Sequence, residues 1–204
     1  MYSPAAFQVA DQGVLLRFMR EHAFSTMVTG TGGTLVASHL PFVVHEHGEQ
    51  IVLRTHMARA NDQWRGFDDT TEALVIFQGP HAYVSPSWYA SDRAVPTWNY
   101  AVVHAYGIPR VATHEELHAT LKDSVDVNES RLPNPWSLDQ VPAEFIETLM
   151  GSIVGVEIKV TRLEGKFKMS QNRSEADREG VVSALATSDD PASVATADWM
   201  RERV

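Results

Sequence analysis

The 204-residue chain contains no cysteine. That absence excludes a disulfide scaffold, a Cys-ligated zinc, an iron–sulfur cluster, a thiolate nucleophile and a thiolate-ligated haem. Redox or metal chemistry must therefore use His, carboxylate, Met, Tyr or a bound cofactor. No run of eighteen apolar residues occurs, and the start MYSPAAFQVADQGVLL has neither the basic opening nor the apolar core of an export signal. The expected compartment is the cytoplasm. An excess of positive charge is missing as well: 17 Lys and Arg stand against 26 Asp and Glu, a net charge of −9. Such a field repels phosphate and argues against a chain that coats nucleic acid. The G-x-S-x-G elbow of serine hydrolases, the dinucleotide fingerprint and the P-loop are all absent.

What is present is an ordinary globular composition, 44% apolar and 21% charged, in a chain long enough to bury about 70% of the surface its unfolded form exposes. Residues 12–21 carry Val14, Leu15 and Phe18 at helical spacing behind an Asp11 cap. The pattern then turns to strands. Segments 23–30 and 33–44 flank the glycine-rich stretch Gly30 to Gly33, which reads as a hairpin corner, because it lacks the spacing and the following helix of a phosphate loop. A polar turn at His45 to Gly48 leads to a strand at 49–56, and the short apolar run 72–79 continues through HAYVSPSWY into a Pro-containing bend. A further strand is expected at 98–111.

Two helices follow, one opened by a Thr113/Glu116 capping box and one by Pro142 at its first turn. The segment 153–165 alternates so that Val154, Val156, Ile158 and Val160 face inward while Glu157, Lys159 and Thr161 face outward. Ser174 and Asp190-Pro191 open the last two helices. With no repeat or linker, the sequence reads as one domain over 1–204. Six or seven strands joined by short turns predict a mainly β, α+β fold, an antiparallel barrel or sandwich with peripheral helices.

Three local patterns bear on chemistry. His114-Glu115-Glu116-Leu117-His118 matches the two-histidine zinc helix, with Glu144 or Glu147 as further ligand candidates. It begins in a polar first turn just after a cap, however, whereas a catalytic zinc needs a buried helix, so a capped surface helix is the better reading and a zinc peptidase is not expected. Aromatic and hydrogen-bonding residues gather at 55–64, 79–89 and 96–106, where three of the five tryptophans fall. They read either as a core whose indoles and phenols need partners or as the stacking faces and donors required by a flat, polar-edged ligand. Residues 159–178 hold six of the 17 basic side chains. They form either a solvated strand face or an anion site, with Lys166 and Lys168 on one face and Arg173 at a helix start.

The segments MYSPAAF, HLPF (39–42), HMARANDQW (56–64), FQGPHAYVSPSWY (77–89), VPTWNYAVVHAYG (95–107) and GKFKMSQNRSEADREGV (165–181) resemble the PaiB-type family of FMN-binding negative transcriptional regulators. The resemblance runs in order along nearly the whole chain. It implies a split β-barrel of the flavin-reductase and pyridoxamine-phosphate-oxidase type, acting as a homodimer with FMN, or haem b in some relatives, between subunits. It also implies a regulatory role, and a related branch of haem-dependent piperazate synthases supplies the alternative of an enzyme acting on a small nitrogenous metabolite. The family's Asn-Pro-Gln-Trp stands here as Asn61-Asp62-Gln63-Trp64, and the Gly before the His is Thr55.

Taken with such a cofactor, the anion-site reading puts Lys166, Lys168 and Arg173 at its phosphate. Arg59, Asn61, Ser85, Asn99 and Gln171 would serve the polar ring edges, and Trp64, Trp88 or Trp98 would cover a face. A haem would take His56 as its axial ligand, with His81 and His104 in reserve. A catalytic residue is not identifiable. Direct DNA binding is not expected, since the helices after Thr113 and Ser174 open with Glu115, Glu116, Glu175 and Asp177 and would repel a duplex. A small-molecule ligand is compatible with the pattern.

Overall fold

The computed structural model describes residues 1–31 and 33–203. Along the chain run β1 (Gln8–Val9), α1 (Gln12–Glu21), β2 (Phe24–Thr31), β3 (Thr34–Pro41), β4 (Val43–His47), β5 (Gln50–Ala58), β6 (Ala73–Val84), β7 (Thr97–Val111), α2 (His114–Glu129), α3 (Ala143–Met150), β8 (Ile153–Lys168), α4 (Glu175–Ala186) and α5 (Pro191–Arg203). The hydrogen-bonded strand order is β3-β2-β6-β7-β8-β5-β4, with β1 paired to β8, and the registers of β1/β8, β2/β3, β2/β6, β4/β5 and β5/β8 are all antiparallel. The expectation of a mainly β α+β fold holds.

The chain divides into two compact units, Met1–Phe18, Gln78–Val103 and Glu164–Val204 forming unit 1, and Met19–Phe77 and His104–Leu163 forming unit 2. In unit 1, buried Val84, Val103, Phe167, Met169, Val181 and Leu185 make the core. Its aromatic centre is Phe167, whose ring lies 5.0 Å from that of Phe18 and 4.6 Å, edge-on, from that of Trp199. In unit 2, Met27, Leu53, Val75, Phe77, Val156 and Ile158 are buried, and a smaller apolar cluster joins α2 and α3 through Leu117, Ile146 and Met150.

Local chemistry sets the helix starts. Val14 N–H donates to Asp11 Oδ1, Glu116 N–H to Thr113 Oγ1, and Asp177 N–H to Ser174 Oγ. The Glu116 carboxylate returns a bond to Thr113 N–H, which completes the expected capping box. Pro142 sits one residue before α3, at the cap position rather than in the first turn.

Three expectations need correction. The single strand at 33–44 is two strands, because the chain breaks at Phe42, whose ring is buried 5.9 Å from that of Phe77. His45 to His47 form the end of β4 instead of a turn, and only Gly48 and Glu49 turn, with Gly48 at φ +63°. Glu157, expected outward, is 3% exposed. The outer face of β8 is not solvated there: Arg54 and Arg110 cover Glu157 and meet its carboxylate at 2.8 and 2.5 Å. At the predicted corner, β2 and β3 pair up to Thr31↔Thr34, while Gly32 lies outside the described residues.

Candidate functional site

Alternation along β8 places Lys166 and Lys168 on one side and Phe167 and Met169 on the other, inside unit 1. Lys166 is buried, donates to the carbonyl of Tyr2 at 3.1 Å and stands 5.2 Å from the Tyr100 ring. Lys168 donates to Thr97 Oγ1 at 2.5 Å and to the Trp98 carbonyl at 2.6 Å. Beyond it the chain turns at Ser170, which has φ +64° and is held by reciprocal bonds to the buried amide of Asn99. The turn delivers Arg173, whose guanidinium lies 4.6 Å from the Tyr89 ring centre.

These three cations crowd one another. Burial lowers the Lys168 pKa from its ordinary value, and the charges of Lys166 and Arg173 lower it further, with no carboxylate acting against them. The Tyr89 hydroxyl is buried without a hydrogen-bond partner in the same unit. A cluster of partly buried cations beside an unused hydroxyl donor is the donor set a phosphate dianion satisfies.

Unit 1 also contains a cavity of about 530 Å³ lined by Ala6, Phe7, Gln8, Val9, Val14, Arg17, Phe167, Gln171 and Trp199. Phe7 links it to the cationic corner, since Lys168 Nζ lies 6.0 Å from the Phe7 ring. Gln171 is oriented by its own loop: Oε1 accepts from Met169 N–H at 2.7 Å and Nε2 donates to the Phe167 carbonyl at 2.5 Å. Flat apolar walls, one fixed amide and a neighbouring cationic corner fit a planar ring that carries a phosphate on a flexible tail.

The twelve residues singled out by sequence divide between the units. Lys166, Lys168, Gln171 and Arg173 gather as described. Trp98 is 54% exposed, beside Tyr83 at 5.9 Å and His81 at 6.4 Å, and shares the corner through its carbonyl rather than its indole. Asn99 spends its amide on Ser170 and the Met200 sulfur. Ser85 caps the 3-10 turn Pro86–Trp88, and that turn packs so closely on α4 that a Cβ at Gly180 would collide with the Trp88 carbonyl. Buried Asp177 closes the same contact by accepting from Ser91 N–H and Oγ.

His56, Arg59, Asn61 and Trp64 belong to unit 2. Burial lowers the His56 pKa, so its ring is neutral at pH 7. Arg59 donates Nε to the Gly151 carbonyl and Nη2 to the Ile153 carbonyl, both at 2.8 Å, and its own carbonyl accepts from Trp64 Nε1 at 3.0 Å. Asn61 caps the 3-10 turn Asp62–Gly66 and donates to Ser38 Oγ; Asp62, where the family has Pro, takes its first position. Of the reserve ligands, His104 meets the Tyr106 hydroxyl at 3.5 Å.

In the H-E-x-x-H segment, His114 and His118 are exposed, and His114 Nε2 meets Glu147 Oε2 at 2.7 Å. Glu116 is committed to the cap and to Arg110, and no group of three His, Asp or Glu assembles a metal site among the described residues. Sequence reasoning missed Arg17, Phe167 and Trp199. Trp199 lies in α5, outside every aromatic-rich segment, and no local pattern marks it as a cavity wall.

A mainly β sheet flanked by five helices, with a cationic corner next to an aromatic cavity, defines a cofactor-binding protein of the split-barrel class. Residues 1–162 match the family described as "Putative FMN-binding domain", and the chain belongs to that family, in its PaiB-type branch. It is 35% identical over 204 residues to the Protease synthase and sporulation protein PAI 2 of Bacillus subtilis (strain 168), covering 100% of this chain and 98% of that protein. Among solved structures, the fold is similar to the flavocytochrome Anf3 of Azotobacter vinelandii, with TM-score 0.56 at 13% identity over 79% of this chain and 69% of that one. It is also similar to the FAD and heme binding protein of Mycobacterium smegmatis, with TM-score 0.53 at 12% identity over 79% and 73%.

Proposed function

We propose that this protein binds FMN in unit 1 and works as a cytoplasmic, homodimeric regulator or metabolic sensor, the whole chain acting as one functional domain. The observation that carries the reading is the half-buried ammonium of Lys168, whose pKa is lowered by burial and by the neighbouring charges of Lys166 and Arg173, in a corner where it is bonded to Thr97 and the Trp98 carbonyl. The cofactor phosphate supplies a counter-ion, and Phe7, Phe167, Gln171 and Trp199 receive its ring. When bound, FMN supplies reversible electron transfer, and the protein residues hold the phosphate, orient the ring and exclude water. Membership of the FMN-binding family and the full-length similarity to the sporulation protein support the assignment. Control of transcription then runs through a ligand or a partner protein, because the openings of α2 and α4 carry Glu115, Glu116 and Glu175.

A second reading rests on His56. Its neutral ring makes no hydrogen bond to a described residue, which leaves a nitrogen lone pair for an axial bond to haem. Haem would place the protein among enzymes acting on a small nitrogenous metabolite, and structural neighbours include a flavocytochrome and a FAD and heme binding protein.

One absorption experiment separates the readings. Protein incubated with FMN and passed over a desalting column is expected to retain broad bands in the blue at one FMN per chain. A sharp Soret band with haem that vanishes in His56→Ala would favour the second reading, and colourless protein after both incubations would overturn both.

A further inference from the structure

Pairing in the β2/β3 hairpin sets Phe24 opposite Pro41, Val28 opposite Ala37 and Gly30 opposite Leu35, and β6 adds Leu74 beside Val28. Residues opposite one another in antiparallel strands point to the same side of the sheet, so these positions form one continuous face. The other side, with Met27, Val75 and Phe77, is buried in unit 2. An antiparallel sheet that shows one side to water alternates apolar-in with polar-out. Here the outward positions are apolar too. Phe24 is 71% and Leu35 78% exposed, and Val28, Leu74 and Ile76 are partly exposed between the strands. The face carries no Asp, Glu, Lys or Arg, although the chain is 21% charged. Its one ionisable side chain, His39, is tied to the sheet, with Nδ1 2.9 Å from Thr26 Oγ1.

Two features select what covers such a face. With a net charge of −9 on each chain, two copies repel one another except where a surface is free of charge. Near a two-fold axis each residue meets its own counterpart, so an acid or a base there would face itself, whereas Phe24, Val28 and Leu35 match their own kind. The face also lacks the Lys and Arg with which a protein holds nucleic acid. At strand spacings of about 4.8 Å and a rise of about 3.4 Å per residue it covers roughly 300–400 Å², an apolar centre for an interface of about 800 Å² per partner.

We infer that a second copy of this chain covers the outer face of β2, β3 and β6, the two faces packing sheet on sheet about a two-fold axis. The inference rests on the homodimer reading and adds the surface that makes the dimer. Every residue invoked lies in unit 2, and none belongs to the cavity or the cationic corner of unit 1.

The test is sedimentation of the purified full-length protein. The wild type is expected to run as a dimer. Leu35→Glu and Phe24→Glu, each at a position open to solvent in a single copy, are expected to weaken self-association at least about tenfold while the far-UV spectrum stays that of the folded chain. A second measurement changes no charge. Because the chain has no cysteine, Ala37→Cys offers one thiol per copy, and a short bis-maleimide is expected to join two copies through it, while Ser183→Cys on exposed α4 surface is not joined. A dimer that survives both glutamate substitutions, or one joined through Ser183→Cys as readily as through Ala37→Cys, overturns the inference and leaves the homodimer reading standing. A monomeric wild type overturns both.

Discussion

The ammonium of Lys168 donates to the main-chain carbonyl of Trp98 at 2.6 Å. Through this bond the last residue of β8 is fastened to the start of β7, so a side chain selected for its charge and one selected for its aromatic ring meet at one corner. They meet through backbone, and the indole itself remains 54% exposed.

Removing that ammonium separates binding from folding. Lys168→Met is expected to weaken FMN binding at least tenfold, measured by quenching of flavin fluorescence, because it removes a charge-assisted donor from the phosphate. The flavin-free variant should melt no lower than the wild type, since the lost charge was half-buried beside two like charges. Unchanged FMN affinity would exclude this corner as the phosphate site.

Glu157 sits under two guanidinium groups. Glu157→Ala leaves Arg54 without its carboxylate, while Arg110 keeps Glu116, and is expected to cost about 1–3 kcal/mol in urea unfolding. A loss below about 1 kcal/mol would show that water screens the cluster.

Acid should loosen the same region. Hydrogen bonds from Arg110, followed by that from Thr113 N–H, hold Glu116 down to about 2 from an ordinary 4.5. Because the folded-state pKa lies below the unfolded one, its contribution is fully present above pH 4.5 and is lost as pH falls from there toward 2. Urea midpoints across that window should drop with pH, and Glu116→Gln should flatten the drop.

Gly180→Ala tests the seating of α4. The new methyl group collides with the Trp88 carbonyl, which is backbone and cannot swing aside. The expected cost is about 1–3 kcal/mol in thermal or urea unfolding, and a neutral substitution would mean that the Ser85 to Trp88 turn moves freely.

Regulation without direct contact to DNA predicts no sequence-specific gel shift by purified protein at nanomolar concentration and low salt. Light scattering on the same sample is expected to give twice 22.7 kDa for the homodimer. A salt-sensitive, sequence-specific shift would reverse the first expectation, and a monomer the second.

The strands and helices were legible because their signals are local. The Thr113, Ser174 and Asp11 caps form where the side-chain pattern places them, and the inward run Val154, Val156 and Ile158 is buried as alternation requires. Glu157 was misread because a period-two pattern reports which residues share a face, not whether two arginines cover it. The break at Phe42 was hidden in an unbroken apolar stretch, since only packing against Phe77 shows why the chain bends there. At the site, the basic run 166–173 was visible as a charge anomaly, whereas the wall formed by Trp199 depends on α5 folding back onto Phe167.

The sequence by itself determined the order of elements, the lack of any thiol chemistry and the three cations that mark the anion corner, because composition, periodicity and capping act within a few residues. Only the tertiary structure decided that those cations come close enough to act on one another, that Arg59 and Trp64 line a cavity within unit 2, and that Glu157 is neutralised rather than hydrated. Desolvation and ion pairing depend on which distant segments come to lie against a side chain, and a linear pattern does not encode that neighbour directly.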